Sequence, residues 1–324
     1  MLIATLIIVL GFIGLIWGAD RFVTGASSLA RNYGISPLII GLTIVAFGTS
    51  APEFFSSAVA AYQGKPGLAI GNAFGSNLFN IGIALAIAAV ISPLELPKSI
   101  ISREIPALLL VTLTTAILLI DLHISAFDAI VLLLVAVFLI YKLLKQKLFN
   151  LDDLSVSPNE DASLAIKTIS SARAIIYLTI GLFILLASAE ALVQAASNIA
   201  DHLGVSTAII GLTIVALGTS LPELAAAVVS VMRGHDDLAI GNIFGSNILN
   251  FLVVLPFPGL LAPGAIEPSL FYRDFSTVLL LTALLCFICY RCYRRKQQIG
   301  RLHGVIFLLI YCSWFTFMML EVRG

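Results

Sequence analysis

The chain repeats itself at an interval of 170 residues. GLTIVAFGTSAPE at 41–53 falls on GLTIVALGTSLPE at 211–223 with 11 of 13 positions identical, and GNAFGSNLFN at 71–80 falls on GNIFGSNILN at 241–250 with 7 of 10 identical. Apolar sequence repeats Leu, Ile and Val by chance. It does not repeat Gly, Thr, Ser, Pro, Glu and Asn in order, twice, at one offset. The chain is therefore two copies of one unit, and its fold must accommodate both.

The solvent for that fold is lipid. Of 324 residues, 60% are hydrophobic and 11% charged, against about 25% charged in an ordinary soluble domain. Ten apolar stretches approach the roughly 20 residues that cross a hydrocarbon core, at about 2–27, 36–62, 68–91, 104–120, 125–144, 173–198, 206–231, 238–260, 274–292 and 303–321. The first lacks a basic region before its apolar run and is too long for a signal peptide core, so it reads as a retained helix. One long polar stretch, 141–173, divides the chain near its midpoint. The expected organisation is a first five-helix repeat over 1–144, a cytoplasmic linker over 145–172 and a second five-helix repeat over 173–324.

Lys and Arg set the orientation. With ten spans, the loops after the odd-numbered ones carry 14 of the 18 basic residues, the opposite side carries Lys65, Arg273 and Arg323, and Arg21 lies at the end of the first span. The basic side is expected to be cytoplasmic and both termini outside. Five helices is an odd number, so the second copy enters the membrane upside down. Inverted repeats of this kind build transporters with two access states of similar construction.

Polar residues recur inside the apolar spans. Thr49, Ser50 and Glu53 lie on one helical face of the second span beside Pro52, and Thr219, Ser220 and Glu223 repeat them in the seventh beside Pro222. Proline removes a backbone donor and displaces a carbonyl, so Ala46 and Ala216, or residues near them, are candidates to offer backbone oxygens at a broken helix. Ser76 and Asn80 in the third span, matched by Ser246 and Asn250 in the eighth, add side-chain oxygens four residues apart. Asn72, Asn77, Asn242 and Asn247 stand evenly between ligands and structural donors. Carboxylate, amide, hydroxyl and carbonyl oxygens suit hard cations such as Ca²⁺ or Na⁺, and no thiolate or imidazole cluster favours zinc or copper. An ionised pair in lipid is costly when empty, so such a site would need Na⁺ or protons in exchange for its cargo. The alternative for the glutamates is a neutral role in packing.

Asp20 and Glu190 also correspond at the 170-residue offset, near the ends of the first helix of each half, and are candidates for access or gating as well as for solvated helix ends. Trp17 and Trp314 read as interfacial anchors. The 291–301 basic cluster fits a positive-inside loop and contact with anionic membrane lipid. Cys286, Cys289 and Cys292 have helical spacing but no second pair with zinc-site spacing. No P-loop is present, because the glycine motifs lack a Lys-Ser/Thr ending, and the zero net charge gives no nucleic-acid signal. The chain is thus read as neither enzyme nor nucleotide-driven pump, without cofactor. Nothing in the sequence decides for or against a homo-oligomer.

At the two repeated motifs the chain resembles the calcium/cation antiporter superfamily, especially its compact prokaryotic sodium/calcium exchangers. The resemblance covers essentially the whole chain. It implies an all-α membrane protein of ten transmembrane helices in two inverted repeats, alternating access in a prokaryotic inner membrane, and a site assembled from the second, third, seventh and eighth helices. Sliding of the first and sixth helices against that core is a further family expectation. The family's central acids fall on Glu53 and Glu223, its hydroxyl neighbours on Thr49, Ser50, Thr219 and Ser220, and its other ligand positions on Ser76, Asn80, Ser246 and Asn250. Some relatives carry Asp at the last position; Asn250 removes that negative charge and leaves the choice between Na⁺ and H⁺ coupling open. Exchange of Ca²⁺ for Na⁺ is the leading expectation. The alternatives are Ca²⁺/H⁺ or other cation/H⁺ antiport, then a channel or a structural membrane protein.

Overall fold

A computed structural model describes residues 2–149, 169–203 and 216–323. Its helices are α1 (Leu2–Asn32), α2 (Pro37–Thr49), α3 (Ala51–Tyr62), α4 (Pro66–Ile91), α5 (Ile100–Leu118), α6 (Ala126–Phe149), α7 (Ser171–His202), α8 (Ala216–Thr219), α9 (Leu221–Met232), α10 (Asp236–Leu261), α11 (Leu270–Arg294) and α12 (Arg301–Arg323). Among the described residues seven helices are long and apolar enough to cross a bilayer, or eight if α2 and α3, which meet at a 46° bend, count as one. The fold is an all-α membrane fold with many spans. The fifth and seventh expected spans are occupied by α6 and by α8 with α9, and the start of the seventh, 206–215, lies outside the described residues. So do residues 150–168 of the expected linker, into which α6 runs as far as Phe149.

The sequence repeat reappears in the backbone. The bounds of α3 and α9, and of α4 and α10, differ by 170 residues at each end. Gly64 and Gly234 both turn at φ +71°, a conformation that side chains rarely adopt, so each half makes the same tight return into its next helix. Within α4 and α10 the hydrogen-bonding loosens to π-helix at Asn80–Leu85 and Asn250–Val254. Such insertions frequently mark functional positions. The turn between α5 and α6 is fixed by a reciprocal cap, in which Ser125 N donates to Asp128 Oδ2 at 2.8 Å and Asp128 N to Ser125 Oγ at 3.3 Å.

α1 and α7 lie side by side and antiparallel. Gly18 faces Leu185, Gly25 faces Leu178 and Gly181 faces Phe22, so closely that a Cβ on Gly18 would sit 2.6 Å from the Leu185 nitrogen. Without a hydrophobic force between helices in lipid, small residues that let backbones touch supply the packing. The guanidinium of Arg21 adds to the seam, 5.4 Å from the Trp17 ring and 5.0 Å from Tyr177. This pair shares one apolar cluster with Ile40, Val45, Ala225, Ala226, Val229 and Leu238. A separate, larger cluster is built from α4, α5, α10 and α11, with Phe74, Phe251 and Phe275 at its heart.

Two small extended contacts cross between the halves. β1 (His123–Ile124) pairs antiparallel with β2 (Gly264–Ala265), and Leu94 bridges to Ile299. Trp314 does not behave as a free anchor: its Nε1 donates to Asp274 Oδ1 at 2.8 Å, tying α12 to α11. Cys286, Cys289, Cys292 and Cys312 are free thiols, the first three buried along α11.

Candidate functional site

The two glutamates are placed by broken helices. α2 ends at Thr49, Ser50 leaves helical geometry at φ −80°, ψ 6°, and α3 restarts with Pro52 and Glu53 in its first turn. The second half does the same at Ser220, φ −92°, ψ 6°, with Glu223 in the first turn of α9. A helix N-terminus carries partial positive charge, so each break aims amide dipoles at a carboxylate. The Ala46 carbonyl is already engaged, accepting from Ser50 N at 3.0 Å and from Thr49 Oγ1 at 3.4 Å. Ala216 opens α8; its side chain lies outside the described residues.

Glu53 and Glu223 are each 1% exposed, and their hydrogen bonds cross between the halves. Ser220 Oγ donates to Glu53 Oε1 at 2.8 Å, and Ser50 Oγ donates to Glu223 Oε1 at 2.9 Å. Ser76 Oγ lies 3.1 Å from Ser220 Oγ and 3.4 Å from Glu53 Oε1; Ser246 Oγ lies 2.9 Å from Ser50 Oγ and 3.5 Å from Glu223 Oε1. The helices from opposite halves interleave around one centre.

The asparagines form a second crossing. Asn80 Nδ2 donates to Asn247 Oδ1 at 3.3 Å, and Asn250 Nδ2 donates to Asn77 Oδ1 at 3.0 Å. Asn77 and Asn247 thus spend their oxygens on holding Asn250 and Asn80, which favours the structural reading of that pair. Thr49 Oγ1 sits 3.2 Å from Asn242 Oδ1, and Thr219 Oγ1 sits 3.5 Å from Asn72 Oδ1. Asn72 Nδ2 contacts the Glu53 carbonyl at 3.1 Å and Ser57 Oγ at 2.8 Å.

Four acceptor oxygens are left over. Glu53 Oε2, Glu223 Oε2, Asn80 Oδ1 and Asn250 Oδ1 are buried without any hydrogen-bond partner. A buried acceptor with no donor costs free energy, and native interiors satisfy nearly all such groups. Carboxylate and amide oxygens left without donors are of the kind that hard cations take as ligands. Among the described residues no three His, Cys, Asp or Glu side chains converge.

Three participants were not legible beforehand. Ser57 is an ordinary hydroxyl in apolar sequence, and only its place one turn beyond Glu53 hinted at a role. The π-helical starts at Asn80 and Asn250 leave no mark in composition. Arg233 reads as one more basic loop residue, yet it binds Asp20: its Nε donates to Asp20 Oδ1 at 2.7 Å, with a further close contact from Nη2. Among the described residues Glu190 has no partner in the other half and accepts instead from Gln194, one turn along its own helix, at 2.8 Å.

Comparison with known proteins bears on what this constellation serves. A family profile described as sodium/calcium exchanger protein matches residues 3–145 and 173–320. The chain belongs to this family. It is 43% identical over 97% of its length to CaxA of Alkalimonas amylolytica (98% of that chain), and 38% identical over 97% to the inner membrane protein YrbG of Escherichia coli (96% of that chain). Among solved structures, the sodium-calcium exchanger NCX_Mj soaked with Na⁺ and Ca²⁺ superposes with a TM-score of 0.82 at 32% identity, covering 98% of both chains. This exchanger-family chain is a secondary active cation antiporter.

Proposed function

We propose that the chain exchanges Ca²⁺ for Na⁺ across a prokaryotic inner membrane by alternating access, with both ions held by Glu53, Glu223, Asn80 and Asn250. Thr49, Ser50, Ser76, Thr219, Ser220, Ser246 and the carbonyls of Ala46 and Ala216 serve as supporting or exchangeable oxygens, and Asn72, Asn77, Asn242 and Asn247 hold the frame. The four orphaned oxygens carry this reading. One Ca²⁺ cancels two carboxylates, and a site emptied of it in low dielectric must take Na⁺ or protons before it reorients. Relatives point the same way: MaX1 of Methanosarcina acetivorans, 30% identical over 95% of the chain (96% of that protein), is a sodium/calcium exchanger.

The proposed topology is ten spans in two inverted five-helix repeats, over 1–144 and 173–324 with a cytoplasmic linker at 145–172, and both termini outside. The antiparallel α1 and α7, the 170-residue correspondence of helix bounds and the crosswise hydrogen bonds support it. Asp20 and Glu190 belong to the access path rather than to the ion site. A second reading, Ca²⁺/H⁺ antiport, draws on Asn250, because a site with two carboxylates and no third acid is discharged by two protons as well as by Na⁺. Radiolabelled Ca²⁺ flux in proteoliposomes, with Na⁺ and proton gradients imposed separately, tests both. Uptake driven by the Na⁺ gradient alone is expected. Uptake driven only by protons selects the second reading, and uncoupled downhill flow refutes exchange.

A further inference from the structure

We infer that Asp20 and Arg233 form an ionic latch, present on one face of the membrane only, that holds the α1–α7 pair against the ion-binding helices. The inference rests on the alternating-access reading above and names a device within it. The α1–α7 pair is one body: its glycine seam and the Arg21 stack on Trp17 and Tyr177 bind the two helices to each other, while an apolar cluster shared with α2, α9 and α10 is the greasy face on which the pair rests. Neighbouring residues of α1 face in different directions. Arg21 ties α1 to α7, while Asp20 reaches to Arg233, which immediately follows α9, the helix that carries Glu223.

The internal repeat supplies the control. At the 170-residue offset Asp20 corresponds to Glu190, so both halves keep the acid. Arg233 corresponds to Gln63, so only one half keeps the base. The structure follows this difference: Asp20 is bound by Arg233, whereas among the described residues Glu190 bonds only within its own helix. Two halves related by inversion place these positions on opposite membrane faces, so the ion pair closes one face and has no counterpart on the other. By the distribution of Lys and Arg the latched face is cytoplasmic. Asp20 is 29% and Arg233 45% exposed, so water screens the pair and its hold is modest. A modest hold suits a contact that must break in every cycle, and it biases the chain toward the state closed to the cytoplasm.

The test uses the full chain with its native cysteines replaced and Val229→Cys as a reporter. Val229 lies one turn before Arg233 in α9, 8% exposed within the cluster shared with α1. A membrane-impermeant thiol reagent is applied from the cytoplasmic side of oriented vesicles. R233Q, which reproduces Gln63, and D20N are each expected to raise the labelling rate about fivefold, the factor an exposed ion pair supplies, and the D20R/R233D exchange to restore it. E190Q, at a residue that among those described bonds only to Gln194 of its own helix, is expected to leave labelling unchanged. Labelling that is equal in all variants overturns the latch. So does a rise in R233Q that D20N fails to reproduce. Labelling is read without flux, so loss of Na⁺-coupled transport in the parent chain would refute the exchange reading while leaving this outcome decidable.

Discussion

Glu53→Gln separates charge from shape at the centre of the site. Glu53 Oε1 receives Ser220 Oγ and Ser76 Oγ, both hydroxyl donors, so a glutamine amide turns its oxygen toward them and its nitrogen into the position of Oε2. That position is one of the four orphaned acceptors. The substitution therefore removes a negative charge and replaces a ligand oxygen by a donor. A unit charge about 2.5 Å from a carboxylate oxygen gains roughly 7 kcal/mol at an effective dielectric of about 20. A divalent ion loses about twice that, so the loss of Ca²⁺ binding exceeds the loss of Na⁺ binding by roughly 7 kcal/mol before relaxation. If water entry and rearrangement recover three quarters of it, about 2 kcal/mol remains, near a 20-fold fall in selectivity for Ca²⁺ over Na⁺.

The assay is half-saturation of Na⁺-driven Ca²⁺ flux in proteoliposomes, set beside half-saturation by Na⁺ on the same variant. Glu223→Gln should match Glu53→Gln within about threefold, because each carboxylate is held by the serine of the other half at nearly equal distance, 2.9 Å against 2.8 Å. An unchanged Ca²⁺/Na⁺ ratio in a monodisperse Glu53→Gln protein would remove Glu53 from the ion site. A difference beyond tenfold between the two variants would refute the equivalence of the halves.

Ser220→Ala removes a hydrogen bond to a charged acceptor, worth about 1.5–3 kcal/mol; a double-mutant cycle on Ca²⁺ affinity is expected to couple it more strongly to Glu53→Gln than to Glu223→Gln, and the reverse order would contradict the crosswise bonding. Gly181→Ala places a Cβ 2.4 Å from the Phe22 nitrogen, an overpacking expected to cost about 1–3 kcal/mol or more and visible as a lower unfolding temperature in detergent, whereas Gly64→Ala, in open space, is strained only by its dihedral. His235, in the turn between α9 and α10, has its pKa lowered by burial and then by Arg31 and Arg233. The unfolded chain therefore binds the proton first, and stability falls as pH drops below the ordinary histidine value until the lowered folded value is reached. His235→Gln is expected to flatten the unfolding temperature over that window, and a slope identical to the parent's would exclude His235 as its source.

The repeat made much of this arrangement legible. A 170-residue offset that carries Thr, Ser, Pro and Glu in order requires two equivalent broken helices, and Ser50 and Ser220 do leave helical geometry where Pro52 and Pro222 follow. What the repeat does not encode is which half's hydroxyl meets which half's carboxylate. Helical spacing places Ser50 near Glu53 on its own helix; the packing of α2 against α10, with Gly41 and Gly241 in backbone contact, carries it to Glu223 instead. Tertiary packing decides such partners, and a single sequence records only the faces. The same limit applied to the asparagines. Spacing favoured Asn80 as an oxygen source and left Asn77 evenly between ligand and structural donor; the crossing with Asn247 and Asn250 spends the Asn77 oxygen and leaves that of Asn80 free.

The departures from symmetry carry the remaining functional content. A perfect inverted repeat would give the outward and inward states equal free energy, and neither face would be preferred. Each position where the halves differ at a contact between bodies shifts that balance. Ser57 corresponds to Ala227, so Asn72 is held by a hydroxyl while Asn242 Nδ2 is left buried and unpartnered. Arg233 corresponds to Gln63, so one face gains an ion pair. The first difference stiffens the Glu53 half of the site and leaves the Glu223 half freer to adapt; the second favours one closed face. Exchanging Ser57 and Ala227 by S57A/A227S is expected to transfer the stiffness, read as slower amide exchange around Glu223 and faster exchange around Glu53. Unchanged exchange at both sites would show that Asn72 is held by packing alone.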